Sequence, residues 1–238
     1  MLRKLLTGIL IVSVLGVFVL SEASANDFET GVQELQRGNN AKGISLLLPL
    51  ADSGHVSAQS ALSGLYATGQ APKLGAEKVL GWLVRIVSGE AGNPKLLGRV
   101  PASSFRFPRE MYYIGAIYMQ GIGVPSDYAE ALKWLRRSSD RWYPPSFYLM
   151  GLLYKFGQSE RRASEEGNKV LRDGVIQDNV LAYMWLEIAS NFKVPNAERD
   201  LAELSTSIDP EDKVEGKRLA REWLRKYLAK RNAYRQRQ

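Results

Sequence analysis

Apolar side chains recur every three to four residues along most of this chain, and no stretch sustains the strict alternation of a half-buried strand. Ile114, Tyr118 and Gly121 stand at i, i+4 and i+7, and Ala131, Trp134, Leu135 and Ser138 at i, i+3, i+4 and i+7. Each set falls on one face of a helix. Between them lies Gly121-Ile122-Gly123-Val124-Pro125, a run of helix breakers. Asp127 follows, with Glu130 three residues on, the spacing of a capping box. The pattern predicts helix–turn–helix units and an all-α fold.

The units repeat. Leu62-Ser63-Gly64-Leu65-Tyr66, Ile114-Gly115-Ala116-Ile117-Tyr118 and Met150-Gly151-Leu152-Leu153-Tyr154 each close on a Tyr, with Gly69, Gly121 and Gly157 three residues later. A Trp-Leu pair begins 16 residues after two of these tyrosines, at Trp82-Leu83 and Trp134-Leu135, and 31 residues after the third, at Trp185-Leu186. Tyr118 and Tyr154 are 36 residues apart, as are Leu46 and Trp82. One period with two inserts, near residues 89–106 and 158–177, accounts for every spacing, and a period of this length marks stacked repeats. Tyr66, Tyr118, Tyr154, Trp82, Trp134 and Trp185 recur in register, so they are expected in the core. Small residues at Gly115 and Ala131 let paired helices approach closely.

Composition narrows the chemistry. The 238 residues include no Cys and one His, which excludes a disulfide framework, thiolate metal sites, a Cys nucleophile and a multi-histidine zinc site. Met1-Leu2-Arg3-Lys4, an apolar run over Leu5–Leu20 and Ala23-Ser24-Ala25 together read as a secretory signal over 1–25, cut before Asn26. The expected location is periplasmic, with secretion or a retained membrane anchor as alternatives. Net charge is +7, yet residues from Lys213 onward carry ten Lys/Arg against Glu215 and Glu222, which leaves residues 26–212 at −2. Basicity belongs to one C-terminal segment, and an exported chain of this kind is not expected to bind nucleic acid. The domain reading is an α-solenoid over 26–208 and a C-terminal capping helix over 209–238.

Tyr118-Met119-Gln120-Gly121-Ile122-Gly123-Val124-Pro125-Ser126-Asp127-Tyr128-Ala129-Glu130-Ala131-Leu132-Lys133-Trp134-Leu135 resembles the Sel-one-like repeat (SLR) family, relatives of tetratricopeptide repeats. Asp178 through Ser190, with Ala182, Tyr183, Trp185 and Leu186, is similar to the second helix of such a repeat. Ala51 through Gln59 resembles its junction, and Arg199-Asp200-Leu201 through Trp223 resembles the tail that closes bacterial members. The resemblance covers most of 41–90 and 108–231. It implies a right-handed superhelix of about four units, the first (Asn26 to Gly54) a degenerate cap. It also implies a non-catalytic scaffold in the bacterial envelope, serving signalling, secretion, polysaccharide or motility machinery, with a protein partner and no cofactor.

The family's groove positions fall on Tyr112, Met119 and Gln120 in the third unit, Tyr148, Lys155 and Phe156 in the fourth, and Ser60, Ala67 and Thr68 in the second. Tyr112 and Tyr148 are read either as partner contacts or as cover for a neighbouring helix. His55 sits in the family's Gly-His junction and is read as structural. Gly121-x-Gly123 follows a helix and lacks the third glycine, so it is not a phosphate loop. No catalytic, cofactor or metal residue is assigned.

Asp209-Pro210-Glu211 starts a final helix with a Pro at its first position. Leu219, Trp223 and Tyr227, at i, i+4 and i+8, form an apolar stripe beside Ala220, Leu224 and Leu228. Arg218, Arg221, Arg225, Lys226, Lys230 and Arg231 surround it. The helix is expected to cap the last repeat. The alternative function adds attachment to anionic lipid or acidic polysaccharide through these cations.

Overall fold

The computed structural model describes residues 26–88, 107–157 and 177–235, with side chains as far as Ala229. The expected signal segment, nearly all of the two expected inserts and the side chains of Lys230 and Arg231 lie outside the described residues. Among the described residues there are ten α-helices, one 3-10 turn (Pro72–Leu74) and no strand. The helices are α1 (26–36), α2 (Asn40–Asp52), α3 (Val56–Ala67), α4 (Ala76–Ser88), α5 (Pro108–Gln120), α6 (Tyr128–Ser139), α7 (Pro145–Phe156), α8 (Asn179–Asn191), α9 (Ala197–Ser207) and α10 (Pro210–Arg235). The first eight make four helix pairs, and α3 packs on α5 and α5 on α7 across successive pairs. Among the described residues no helix is long and apolar enough to cross a membrane.

The third and fourth units are built from the same local devices. In the third unit the Asp127 carboxylate accepts from the Glu130 backbone N–H at 2.7 Å, capping α6, and the Asp127 N–H donates to the Tyr118 carbonyl at 3.0 Å. In the fourth, Asp178 caps α8 through the Leu181 N–H at 2.8 Å and donates to the Tyr154 carbonyl at 3.0 Å. Only half of the expected capping box forms, because Glu130 serves another donor. Its carboxylate accepts the Trp134 indole N–H at 2.9 Å, a buried donor one turn further on that needs a partner.

Helix pairs close where a side chain is missing. A Cβ on Gly115 would lie 2.8 Å from Leu135 Cγ, and one on Gly151 would lie 2.8 Å from Leu186 Cγ and 3.1 Å from the Leu186 backbone nitrogen. Gly31 meets Leu47 in the same way in the first unit, at 2.7 Å. In the second unit Ser63 takes the place three residues before the Tyr, fully buried, and its hydroxyl has no partner. Gly121, at φ +66°, ends α5 in the left-handed conformation that glycine adopts without strain.

Trp134, Tyr66, Trp82 and Tyr154 are buried, as the spacing predicts. Tyr118 and Trp185 are only half-buried. The Tyr66 hydroxyl donates to the Ile122 carbonyl, in the turn of the following unit, at 2.8 Å. The turn in the corresponding place beyond Tyr118 falls largely outside the described residues. Trp185 lies in the layer between the last repeat and α10, stacked on Phe147 at 6.0 Å and edge-on to Trp223 at 5.5 Å.

The C-terminal helix α10 packs on α8, as a cap should. Gly216 approaches Val180 and Tyr183, Trp223 meets Trp185, and Tyr227 meets Phe192 at 5.7 Å. The contacts advance together along both helices, so α8 and α10 run in the same direction, with α9 as the return between them.

Candidate functional site

Because α3, α5 and α7 stack side by side, equivalent positions line up across the face they share. Ser60, Tyr112 and Tyr148 form one row near the helix starts, and Thr68, Gln120 and Phe156 form a second near the helix ends.

The first row is already engaged. The Ser60 hydroxyl donates to the buried Glu110 carboxylate at 2.5 Å. Tyr112 lies edge-on to Tyr143 at 5.4 Å and 5.8 Å from Tyr113. Burial raises the Tyr143 pKa, and the nearby Arg109 guanidinium works against that rise. Tyr148 reaches α9, its hydroxyl donating to Asp200 at 2.5 Å, and Arg199 donates to the same carboxylate at 2.9 Å. Tyr112 and Tyr148, both half-buried, make these contacts within the chain.

Electrostatics agree. Burial, and then the bond to Asp200, push the Tyr148 hydroxyl up to about 12. Burial, followed by Tyr143, pushes Tyr113 up to about 12 as well. Burial works against the Asp200 carboxylate, but the bonds from Tyr148 and Arg199 outweigh it and hold its pKa below the usual value. Both tyrosine hydroxyls therefore stay protonated near neutral pH and Asp200 stays a carboxylate, the forms in which Tyr148 donates and Asp200 accepts.

The second row is more open. Gln120 donates to the Ala67 carbonyl at 2.8 Å and ties α5 to the end of α3. Met119 is half-buried beside it. Lys155 donates to Glu203 on α9 at 2.9 Å, and its ammonium stands 5.1 Å from the Phe156 ring. Phe156 is 60% exposed, a large aromatic presented at a helix end. Met119 and Gln120 end α5, and Lys155 and Phe156 end the neighbouring α7, while Tyr112 and Tyr148 lie in the row near the helix starts.

Sequence reasoning missed Tyr113, Tyr143, Asp200 and Glu203. A signal for Tyr113 exists, since the glycine of the second unit is displaced one residue to Gly64. A Cβ there would meet the Tyr113 hydroxyl at 2.8 Å. His55 is structural, as read: its Nδ1 accepts from the Ala58 N–H at 3.2 Å, capping α3, and its ring packs on Phe28 at 4.9 Å.

On α10 the cations divide into two sets. Arg218 pairs with Glu215 at 2.7 Å and Glu222 at 3.2 Å, and Lys226 pairs with Glu222 at 2.7 Å. Hydrogen bonds from Arg218 lower the Glu215 pKa, and Lys226 lowers that of Glu222. Arg221 and Arg225 are exposed, as are Lys217 and Lys213, one and two turns nearer the helix start. Among the described residues no group of three or more His, Asp and Glu could hold a metal ion.

The Sel1 repeat family matches residues 111–141 and 162–191, so the chain carries Sel1 repeats, and part of the second match lies outside the described residues. Two solved structures are similar. One is a protective antigen of uropathogenic Escherichia coli strains that displays an SLR fold, with TM-score 0.43, 18% identity and coverage of 90% of this chain and 48% of that one. This chain thus spans about half of that antigen's length. The other is a Sel1 repeat protein from Oxalobacter formigenes, with TM-score 0.38, 28% identity and coverage of 66% and 95%. No curated protein matches the chain. Sel1 repeat proteins generally act as protein–protein interaction scaffolds.

Proposed function

For a chain that carries Sel1 repeats, we propose a non-catalytic adaptor of the bacterial envelope, exported through residues 1–25 and working in the periplasm. It holds a partner protein along the strip formed by Thr68, Met119, Gln120, Lys155 and Phe156. The observation that carries this reading is Phe156, largely exposed on a helix end whose neighbours are held in place by hydrogen bonds. Aromatic residues are enriched in protein interfaces, where surrounding polar contacts exclude water from the central anchor. Polar atoms that already have partners add shape and exclusion of water, while the ring supplies the anchor.

The fitting partner presents an apolar side chain or a shallow apolar pocket to Phe156, with hydrogen-bonding groups on either side. Hypothesis test: capture of the envelope partner is compared between the natural chain, Phe156→Ala and Tyr148→Phe. Truncating a hot-spot aromatic costs about 2 kcal/mol or more, so Phe156→Ala should weaken capture by about 30-fold. Tyr148→Phe keeps the ring and should leave capture unchanged. Equal capture by Phe156→Ala would remove the strip from the interface.

A further inference from the structure

The outward face of α10 is charged beyond anything the fold requires. Its apolar stripe is spent on the cap, with Gly216 against Tyr183, Ala220 buried, and Trp223 and Tyr227 packed on Phe147 and Phe192. Turned away from that stripe, Lys213, Lys217, Arg221 and Arg225 step four residues at a time, and all four are exposed. At 1.5 Å per residue they form a row about 18 Å long. None of the four has a carboxylate within salt-bridge distance among the described residues. The last two acids of the chain, Glu215 and Glu222, are engaged by Arg218 and Lys226 along the other edge of the helix.

Like charges four residues apart destabilise a helix, so the row opposes folding rather than helping it. Residues 213–238 carry +8 while 26–212 carry −2, which confines the attraction to this one element. Two aliphatic side chains share the outward face, Val214 at 70% exposed and Leu228 at 46%. They stand about 21 Å apart along the axis, near the two ends of the row. An acidic polysaccharide, polar along its whole length, gains nothing from either. A bilayer offers phosphates to the row and an acyl boundary to the aliphatics at once.

We propose that α10 docks this face on an anionic bilayer, with Lys213, Lys217, Arg221 and Arg225 on lipid phosphates and Val214 and Leu228 at the headgroup–acyl boundary. The helix lies on the surface and keeps its other side on α8, so docking needs no unfolding of the cap. This contact is independent of the Phe156 strip, which belongs to a different set of helices.

The test sediments the exported protein with phosphatidylcholine vesicles and with vesicles containing roughly one part in three of phosphatidylglycerol. Binding is expected only to the anionic vesicles. It should fall steeply between about 0.1 M and about 1 M salt, where the screening length drops from about 10 Å to about 3 Å. Lys217→Glu/Arg221→Glu/Arg225→Glu should lose on the order of 100-fold in affinity. Val214→Ser/Leu228→Ser should lose several-fold. If the triple reversal does not fold, the corresponding Gln variant carries the same prediction with a smaller loss. Binding to neutral vesicles alone, or unchanged binding by the triple variant, overturns the proposal. So does equal affinity for soluble alginate with no effect of Val214→Ser/Leu228→Ser, which would make the row a polysaccharide site. A variant that loses vesicles but keeps its protein partner separates this contact from the Phe156 strip.

Discussion

Trp134→Ala probes the repeat where it is most tightly built. The indole is fully buried, its N–H donates to Glu130 at 2.9 Å, and the Arg137 guanidinium lies 4.6 Å from the ring centre. Removing the ring leaves a cavity and forfeits its transfer energy, together about 3–5 kcal/mol for a buried Trp. Loss of the hydrogen bond adds little, because Glu130 keeps Lys133 at 2.8 Å and has access to water. In a domain of this size each kcal/mol moves the melting midpoint by about 2–4 °C, so the variant should melt about 6–20 °C lower. Units touch only their neighbours, so weakening the third should also broaden the transition by uncoupling the second from the fourth. Urea and thermal melts followed by circular dichroism measure both effects. Trp185→Ala removes the equivalent landmark from a half-buried place and should cost less, about 2–3 kcal/mol. A Trp134→Ala loss below about 1 kcal/mol, or a larger loss for Trp185→Ala, would refute the assignment of Trp134 to the core.

Ser63→Ala removes a buried hydroxyl that has no partner and should stabilise the chain by about 1 kcal/mol, measured as a higher urea midpoint at constant slope. Gly151→Ala drives a methyl toward the Leu186 backbone and should cost about 1–3 kcal/mol by the same assay. Asp200 has a lowered folded pKa, so it stabilises the chain above its unfolded value near 4 and loses that contribution as pH falls through the folded value. Stability measured from pH 7 down to about pH 3 should therefore fall less steeply in Asp200→Asn than in the natural chain. Identical acid limbs would show that the Tyr148–Asp200–Arg199 contact does not couple to folding.

The repeat was legible because its devices are local. Gly115 and Gly151 precede their tyrosines by three residues and Asp127 stands where a helix cap belongs, both visible in the spacing, and Asp178 caps the equivalent helix of the next unit. The capping box was half legible: Asp127 behaves as its position predicts, whereas Glu130 is claimed by Trp134 one turn away. The engagement of the first groove row was not legible. Tyr148 meets Asp200 across 52 residues and Lys155 meets Glu203 across 48, and no periodicity links such positions. On α10, helical spacing already placed Glu215 and Glu222 within reach of Arg218 and Lys226, so the paired cations could have been set aside. The cations left after that pairing, Lys213, Lys217, Arg221 and Arg225, are the outward row. Stopping the chain before α10 would strip Trp223 and Tyr227 from the last repeat, so point changes on its exposed face are the sounder probe.

Site-specific photo-crosslinking in living cells tests the scaffold reading most directly. A benzophenone side chain is placed at position 156 and, in a control, at position 56, where Val56 is also exposed but sits at the opposite end of its helix. A discrete adduct with one envelope protein is expected from position 156 and none from position 56. Adducts from position 56 alone, or the same diffuse products from both, would contradict it.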